Sequence, residues 1–553
     1  MFKEYSEHLQ AKMFTMEDQM SERVRARLEK HWSKTFYLKI FCEIDEKIFA
    51  PLYHHEFGRG NFPVNILASL EIIKEMLSIT DEDLIDRYYF DLSIRSALGL
   101  KDINEHVLSP RTLYYFREAV AEYEESNNKN LIMQLFENGR DAIIKEMGIK
   151  TGMQRTDSTM IGANIKRMSR LTLFHKVLSN LVKDVQKIGL SVREEIKKMV
   201  RDDEDAFAYR LKKDEVEKYL EEIGGYILEL TEIYKDNALL KETKSYKNAK
   251  RMLGDQCDIE KDVVKVELKK QEELSASSMQ NPSDPEATYR VKKKEAHRGY
   301  AAHAVETCDP ENKIQLIMDV CVVTNTTDDA LVLSEKIEEY KKDFGLETII
   351  TDGGFVSDEV RQKCEDNKIE LVTTAISGKK KKEVDGNKNF TTCDFETDKS
   401  TGLIVACPMK HLPLSQKFEN NIRTVIFDPA VCRGCARHEQ CPVHILKKES
   451  RLVIDIHRRW IDEREKKMGT EEYRKLCNLR PPVEGLMSRL KPKYLNGRTL
   501  FKGKAKVQRR IIYKAMGLNF KRIKEIPSNL SLFLFRLLFF ERKTSIILNY
   551  CAL

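Results

Sequence analysis

The segment Thr348-Ile349-Ile350-Thr351-Asp352-Gly353-Gly354 gives the first indication of the fold class of this chain. Its first four residues are all β-branched, which favours a buried strand. Asp352 then precedes two glycines, so its carboxylate is expected to leave the C-terminal end of that strand at a turn. An apparent helix over 358–364 and another strand over 369–373 follow. Strand, helix and strand in this order predict an α/β core.

Upstream segments extend this core and supply a second aspartate. Strands are predicted over 300–305 and 314–324. Asp157 lies in the short polar segment Arg155-Thr156-Asp157-Ser158, which is similar to the exit of the Asp352 strand. Taken singly, each aspartate is more commonly a turn residue or a helix cap than a metal ligand. A carboxylate metal site therefore requires a third acidic residue.

Two other regions show helical periodicity. An apolar stripe at positions 66, 70, 73 and 77 begins a helical module over 63–120, in which Thr80 and Ser109-Pro110 offer helix starts. Such a module suits DNA binding and a plain helical bundle alike. A second apolar seam over 174–188 opens a Lys/Glu-rich helical region that continues to about residue 250. The segment 275–284 then breaks the periodicity and is predicted to be a linker.

The composition excludes several classes of protein. The 553 residues are 33% charged and 41% hydrophobic, which does not match the signature of a wholly disordered chain. No apolar run approaches the roughly 18 to 20 residues that cross a bilayer, and residues 1–20 lack the apolar region of an export signal. We therefore expect a cytoplasmic protein with no membrane partner, whose twelve cysteines stay reduced.

Positive charge is concentrated towards the C-terminus. The net charge is only +7, from 95 basic and 88 acidic residues, but positions 491–524 hold twelve basic residues and no acidic one. Such a run favours a polyanionic partner, because each neutralised phosphate releases counterions. It makes Arg509, Arg510 and Lys514 candidates for DNA contact. The alternative is a solvated basic surface.

Four cysteines form a candidate metal site. Cys432 and Cys435 have the Cys-x2-Cys spacing of a metal knuckle, and Cys407 and Cys441 complete a thiolate set suited to tetrahedral Zn²⁺. His438 is a substitute ligand for one of them. The alternative is four ordinary free thiols, because the spacing is not that of a standard finger with two such knuckles.

The segment 480–491, Arg-Pro-Pro-Val-Glu-Gly-Leu-Met-Ser-Arg-Leu-Lys, supplies the third carboxylate. Its Arg480, Glu484 and Lys491 form an Arg-x3-Glu-x6-Lys array. This array resembles the Tyr-x2-Arg-x3-Glu-x6-Lys signature of DDE transposases of bacterial insertion sequences. The resemblance continues, in the family's order, over most of 50–525, in the segments 54–120, 283–287, 298–303, 319–325 and 351–355.

The array also departs from the family pattern. Cys477 stands where the family has its tyrosine, and Pro481-Pro482 require the helix to begin there or to bend. On a helix of 3.6 residues per turn, Arg480 and Lys491 lie within roughly 40° of Glu484. All three side chains are therefore expected to face one site.

The resemblance implies a fold, a set of ligands and a cofactor. The expected fold is an α/β RNase H-like catalytic core with a helical N-terminal domain, a helical insertion and a cysteine-containing insertion. Asp157 on the first strand, Asp352 after the fourth and Glu484 on a later helix would bind two Mg²⁺ ions, for which Mn²⁺ is a substitute. Arg480 and Lys491 would hold phosphates.

The predicted domains follow from these assignments. A helical DNA-binding domain is expected over 1–145, the catalytic domain over 150–525 and an apolar tail over 526–553. Within the catalytic domain, the helical insertion is expected over about 165–270 and the cysteine-rich insertion over about 378–460.

The function implied by the resemblance is transposition. The protein would bind the terminal inverted repeats of its mobile element, cleave the DNA there and transfer the strands to target DNA, as a homo-oligomer on DNA in the bacterial cytoplasm. Two alternatives stay open: a DNA-binding derivative that has lost the reaction, and a nuclease of the same core without strand transfer.

Overall fold

The computed structural model describes residues 1–10, 12–54, 58–200, 213–260, 265–292, 294–375, 390–398, 401–419, 421–493 and 497–524. The chain divides into two compact units, each built from separated stretches of sequence. Unit 1 contains Met1–Lys150, Asp157–Thr327 and the chain from Gly485 onward, and unit 2 contains Thr151–Thr156 and Asp328–Glu484. The predicted apolar tail over 526–553 lies outside the described residues.

The described α-helices are numbered here in chain order: α1 Glu22–Glu29, α2 Trp32–Lys39, α3 Val64–Leu77, α4 Asp81–Phe90, α5 Leu92–Ala97, α6 Pro110–Asn127, α7 Leu131–Met147, α8 Arg170–Lys187, α9 Glu194–Met199, α10 Lys213–Ile233, α11 Ala238–Lys241, α12 Lys244–Gln256, α13 Asp329–Phe344, α14 Asp358–Asp366, α15 Pro429–Arg433, α16 Ile456–Met468, α17 Glu471–Cys477, α18 Pro482–Leu490 and α19 Lys504–Lys524.

The described strands are β1 Met153–Gly162, β2 Cys257–Glu260, β3 Lys265–Leu268, β4 Thr288–Lys292, β5 Glu295–Thr307, β6 Ile317–Thr324, β7 Thr348–Thr351, β8 Glu370–Thr373, β9 Glu396–Thr397, β10 Ile404–Ala406, β11 Ser415–Glu419, β12 Ile422–Phe427, β13 His444–Ile445 and β14 Ser450–Asp455. The main sheet has the order β4-β5-β1-β7-β8, with β6 also paired to β5.

The N-terminal part of unit 1 is helical, as the periodicity predicts. The stripe at 66, 70, 73 and 77 lies in α3, which is almost wholly buried. Both predicted helix starts are confirmed. Thr80 forms a capping box with Asp83 at the start of α4, and the Ser109 side chain caps α6 ahead of Pro110. A side-chain acceptor at these positions satisfies backbone N–H groups that the first turn leaves free.

The long C-terminal helix α19 packs against α3, α7 and β6 of the same unit. Gly517 permits the closest approach, because a Cβ there would lie 2.9 Å from Met76 Cβ. Asn519 fixes the helix to β6, since its side chain accepts from Ile317 N at 2.8 Å and donates to Ile317 O at 3.0 Å. The helix is therefore part of the core of unit 1.

Strand β5 is the centre of the sheet in unit 1. It pairs in antiparallel fashion with both β4 and β6, and Ala163 N, just after β1, donates to Arg298 O at 2.9 Å. Gly299 is required at this crossing, because a Cβ there would lie 2.2 Å from Ile161 O and its φ of +145° is strained for other residues. This explains the glycine in the segment 298–303.

The helical insertion of unit 1 forms its own core. Helices α8, α10 and α12 pack together, and Phe174, Leu178, Leu181 and Val185 of the predicted seam are buried there.

The segment 275–284 corrects the prediction of a linker. Its Asp284 is fully buried and accepts hydrogen bonds from Tyr300 Oη at 2.5 Å and Gly503 N at 3.1 Å. Ser278 and Asn281 are buried as well, so part of this segment is packed within the unit.

Unit 2 contains the α/β segment predicted from Thr348. The first residues of β1 pair in parallel with β7, from Met153↔Thr348 to Arg155↔Ile350, and β7 pairs in parallel with β8. Helices α13 and α14 pack against each other. A separate sheet of the order β11-β12-β14-β13 lies in the predicted cysteine-rich insertion.

The protein thus combines a helical N-terminal region with mixed helix and sheet, and no described helix is long and apolar enough to span a membrane.

Candidate catalytic site and cysteine pocket

Asp352 occupies the turn that follows β7. Its Oδ1 accepts a hydrogen bond from Gly354 N at 2.8 Å, and the residue caps the short 3-10 turn Gly353–Phe355. This is the turn role expected for an aspartate before two glycines. Oδ2 is engaged differently, because it faces Arg480.

Arg480 joins Asp352 to Glu484 within unit 2. Its Nη2 lies 3.6 Å from Asp352 Oδ2, and its Nη1 lies 3.3 Å from Glu484 Oε1. The Arg480 side chain is 12% exposed, whereas those of Asp352 and Glu484 are 41% and 69% exposed. Helix α18 begins at Pro482, as the proline pair predicts, so Arg480 precedes it and Glu484 lies in its first turn. The structure therefore brings three of the predicted site residues together, with the carboxylates of Asp352 and Glu484 near the guanidinium of Arg480.

A buried tyrosine fixes the helix before this turn. Thr373 N at the end of β8 donates to Tyr473 Oη at 2.8 Å, and Tyr473 Oη donates to Thr373 O at 3.1 Å. Arg464 Nε also donates to Tyr473 Oη at 3.2 Å. Cys477, in the position of the family's tyrosine, lies one helical turn later with its Sγ 3.8 Å from the same Thr373 carbonyl oxygen.

Sequence reasoning missed Tyr473. The available signal was its spacing, because residues four apart share one face of a helix. Sequence reasoning also passed over Arg155, whose guanidinium donates to the carbonyl oxygen of Leu479 in the turn before α18. Both residues position the turn that carries Arg480.

Asp157 and Lys491 belong to unit 1. Asp157 lies on β1, as predicted, and is half-buried with its Oδ1 accepting from Ser158 N at 2.8 Å. Lys491 is exposed and comes one residue after α18 ends at Leu490. Its backbone N still donates to Met487 O at 3.3 Å, so it continues the last helical turn.

Three basic residues of the run 491–524, all on α19, do not lie on an exposed surface. Arg509, Arg510 and Lys514 are buried within unit 1. Arg509 Nη1 lies 2.5 Å from Glu124 Oε2, and Arg510 Nη1 lies 2.8 Å from Glu71 Oε2. Lys514 Nζ donates to the carbonyl oxygen of Glu75 at 2.7 Å. The sequence could not show this, since the acidic partners lie far away in the N-terminal helices.

Burial affects the charge of one of these three residues, Lys514. It lowers the pKa of Lys514 to about 8, and the nearby cations Lys521, Lys493 and Arg510 act in the same direction. DNA contact by Arg509, Arg510 or Lys514 would first require an internal contact to break. The exposed basic residues of the segment are Lys491, Lys493, Arg498, Lys502, Lys504, Lys506, Lys521 and Lys524.

The four predicted cysteines line one pocket in unit 2. Cys407, Cys432, Cys435 and Cys441 share it with His411 and His438. His411 N donates to Cys407 Sγ at 3.3 Å across a tight turn. Burial raises the pKa of the Cys432 and Cys441 thiols, and the neighbouring thiols raise it too. Four sulfurs in an apolar pocket would hold their thiolate form only with a cation to balance the charge.

A closely spaced group of metal-ligand atoms lies elsewhere. Within the described ranges, one group of at least three His, Cys, Asp or Glu residues has ligand atoms that all lie within 4.8 Å of one another. This group consists of Glu7, Glu105 and His106. Glu105 is already held by the backbone N–H groups of Lys101 and Asp102 and by Lys12. The four cysteine sulfurs share a pocket, but no three of them lie within 4.8 Å of one another.

Comparison with known families agrees with this organisation. A family described as "Transposase DDE domain" matches residues 406–524, and one described as "Transposase domain (DUF772)" matches residues 19–119. The first range contains Arg480, Glu484 and all four pocket cysteines, and the second covers helices α1 to α5 and the start of α6. No curated protein and no solved structure matches the chain significantly. The two matches together support a DDE transposase of the insertion-sequence type.

Proposed function

We propose that the protein binds the terminal inverted repeats of its mobile element, cleaves the DNA there and joins the freed ends to target DNA. Asp157, Asp352 and Glu484 are its catalytic carboxylates in this proposal. The observation that carries it is the grouping of Asp352 and Glu484 around Arg480. Two acidic side chains and one guanidinium form a site that suits a cation and a phosphate.

The strand arrangement supports an RNase H-like core. Strands β6, β5, β1, β7 and β8 are neighbours in that order, with β5 and β6 antiparallel and β1, β7 and β8 parallel. The last paired position between β1 and β7 is Arg155↔Ile350. Asp157 and Asp352 each come two residues after it along their own strands. The resemblance to DDE transposases is what assigns these two carboxylates to one site.

The donor chemistry fits Mg²⁺. Carboxylate oxygens are the hard ligands that Mg²⁺ and Mn²⁺ prefer, and Asp352 and Glu484 are accessible to solvent. Two bound ions would supply charge stabilisation for the attacking and leaving oxygens of a phosphodiester. The chain itself contributes Arg480 and Lys491, whose cationic groups would hold and orient the phosphates.

The decisive experiment is incubation of the full chain with the DNA that flanks its gene and Mg²⁺. Transposition predicts nicks at the element ends and joined products. Nicks without joined products would indicate a nuclease, and binding without nicks would indicate a derivative that has lost the reaction. The proposed partner in all three cases is double-stranded DNA, and assembly as a homo-oligomer belongs to the first.

We further propose that Cys407, Cys432, Cys435 and Cys441 hold one structural Zn²⁺. Their convergence on one apolar pocket and the His411 N–H directed at Cys407 Sγ support it. Thiolate ligands suit Zn²⁺, and a bound ion would draw the sulfurs together. Metal analysis of protein purified under reducing conditions tests this proposal, which requires about one zinc per chain.

A further inference from the structure

We infer that Arg480 is an internal counter-ion of the catalytic carboxylates, and that DNA phosphate competes for it. Without DNA, the Arg480 guanidinium pairs with the carboxylates of Asp352 and Glu484 and weakens their binding of a divalent cation. With DNA, a phosphate pairs with the guanidinium instead, and the two carboxylates are then available to bind the cation. This inference rests on the proposed function, because it assigns the same two carboxylates to the metal.

The geometry gives Arg480 this double role. One guanidinium lies 3.6 Å from Asp352 Oδ2 and 3.3 Å from Glu484 Oε1, so it faces both carboxylates at once. It is also the most enclosed of the three side chains, at 12% exposed. A divalent cation that entered between the carboxylates would meet a positive charge already in place, and like charges at this range repel strongly.

The side chain can move without the backbone. Arg480 precedes α18, and its backbone is fixed on both sides, because Arg480 N donates to Cys477 O at 3.1 Å and Val483 N donates to Arg480 O at 3.0 Å. The planar guanidinium matches phosphate oxygens as well as carboxylate oxygens. A change of rotamer could therefore exchange one set of partners for the other.

The consequence is a reciprocal coupling. If DNA raises the affinity for the cation, then the cation raises the affinity for DNA by the same factor. The carboxylates would bind metal poorly until DNA is in place. Such an arrangement limits hydrolysis at sites where no DNA phosphate has engaged Arg480.

The test measures Mn²⁺ binding by electron paramagnetic resonance of the free ion, using the full chain with and without a short DNA duplex. Without DNA, Arg480→Gln should bind Mn²⁺ about tenfold more tightly than the wild type, the effect of removing one charge-assisted contact. The duplex should strengthen Mn²⁺ binding in the wild type more than in Arg480→Gln. Arg480→Lys retains the charge and should stay close to the wild type. Arg474→Gln, an exposed change on α17, is the matched control and should behave as the wild type.

Equal Mn²⁺ affinity in Arg480→Gln and the wild type would overturn the inference, and so would equal enhancement by the duplex. Asp352→Asn separates this failure from failure of the proposed function. If Asp352→Asn abolishes Mn²⁺ binding while Arg480→Gln leaves it unchanged, the metal site stands and the counter-ion role is wrong. Unchanged Mn²⁺ binding in Asp352→Asn would contradict the metal site itself. Circular dichroism checks folding, and Arg480→Met replaces Arg480→Gln if the latter does not fold.

Discussion

Asp352 and Glu484, far apart in the sequence, are linked through the guanidinium of Arg480, which lies 3.6 Å from the first carboxylate and 3.3 Å from the second. Asp352 reaches it from the turn after β7, and Glu484 from the first turn of α18. The relationship depends on the proline pair, because a helix that began earlier would carry Arg480 on its surface. Changes at this site and at the residues that support it should have measurable effects.

Tyr473 should be needed for the position of the α17–α18 turn. Tyr473→Phe removes the hydroxyl that meets both Thr373 N and Thr373 O, and leaves a buried N–H without its acceptor. We expect a loss of about 1–3 kcal/mol in the free energy of unfolding and reduced DNA cleavage. Urea denaturation measures the first, and Tyr473→Phe with unchanged stability would show that these hydrogen bonds do not hold the helix.

The buried cations of α19 should act on stability and not on DNA affinity. Arg510→Ala removes one of the two guanidinium partners of the buried Glu71, the other being Arg117 at 2.7 Å, and we expect a loss of about 1.5–3 kcal/mol in the free energy of unfolding. Replacing the exposed Lys504 and Lys506 together is the matched control on the same helix. If these two lysines neutralise phosphates, the control should keep the stability and flatten the salt dependence of DNA binding by about one unit for each lysine removed. A stable Arg510→Ala protein with a flattened salt dependence would restore the DNA role of Arg510.

Glu46 should make the stability of unit 1 depend on pH. Burial raises its pKa from 4.5 to about 7, although Tyr5 N donates to it at 2.9 Å. Because the folded-state pKa is the higher one, its contribution is fully present below pH 4.5 and is lost as the pH rises through 7. Glu46→Gln should remove this dependence and gain up to about 3 kcal/mol above pH 7. Thermal unfolding of both proteins across this range measures it, and parallel pH profiles would contradict it.

Loss of one pocket cysteine should release zinc. Cys435→Ser should lower both the zinc content and the unfolding midpoint, because a structural ion contributes its binding free energy to folding. Cys393→Ser, in the same insertion but outside the pocket lining, is the control and should retain the metal. Zinc-free wild-type protein, purified under reducing conditions, would leave the four residues as ordinary thiols.

The sequence predicted the local elements well. The β-branched run before Asp352, the stripe of α3, the capping box at Thr80 and the proline-defined start of α18 all appear in the structure. Each depends on neighbouring residues, and local propensity can be read from a single sequence. The four cysteines line one pocket, and their binding of zinc stays a prediction.

What the sequence could not predict depends on distant contacts. A run of arginines and lysines suggests an exposed surface, and only the fold shows that Glu71, Glu75 and Glu124 meet Arg510, Lys514 and Arg509 inside unit 1. The segment 275–284 has the composition of a linker, but Asp284 is buried against Tyr300. Composition indicates only how often residues of a given type are buried. Whether a particular residue is buried depends on its partners in the folded chain.

We propose that Asp157, Asp352 and Glu484 act in one DNA-cleaving site. The most direct measurement compares end binding and end cleavage for Asp157→Asn, Asp352→Asn and Glu484→Gln, with the exposed Glu472→Gln on α17 as the control. We expect each of the three variants to lose at least a factor of about 100 in cleavage, as the loss of several kcal/mol of transition-state stabilisation requires, while binding to the ends stays near that of the wild type. The control should cleave as the wild type does. Full cleavage by any one of the three variants would remove that residue from the site and contradict the claim.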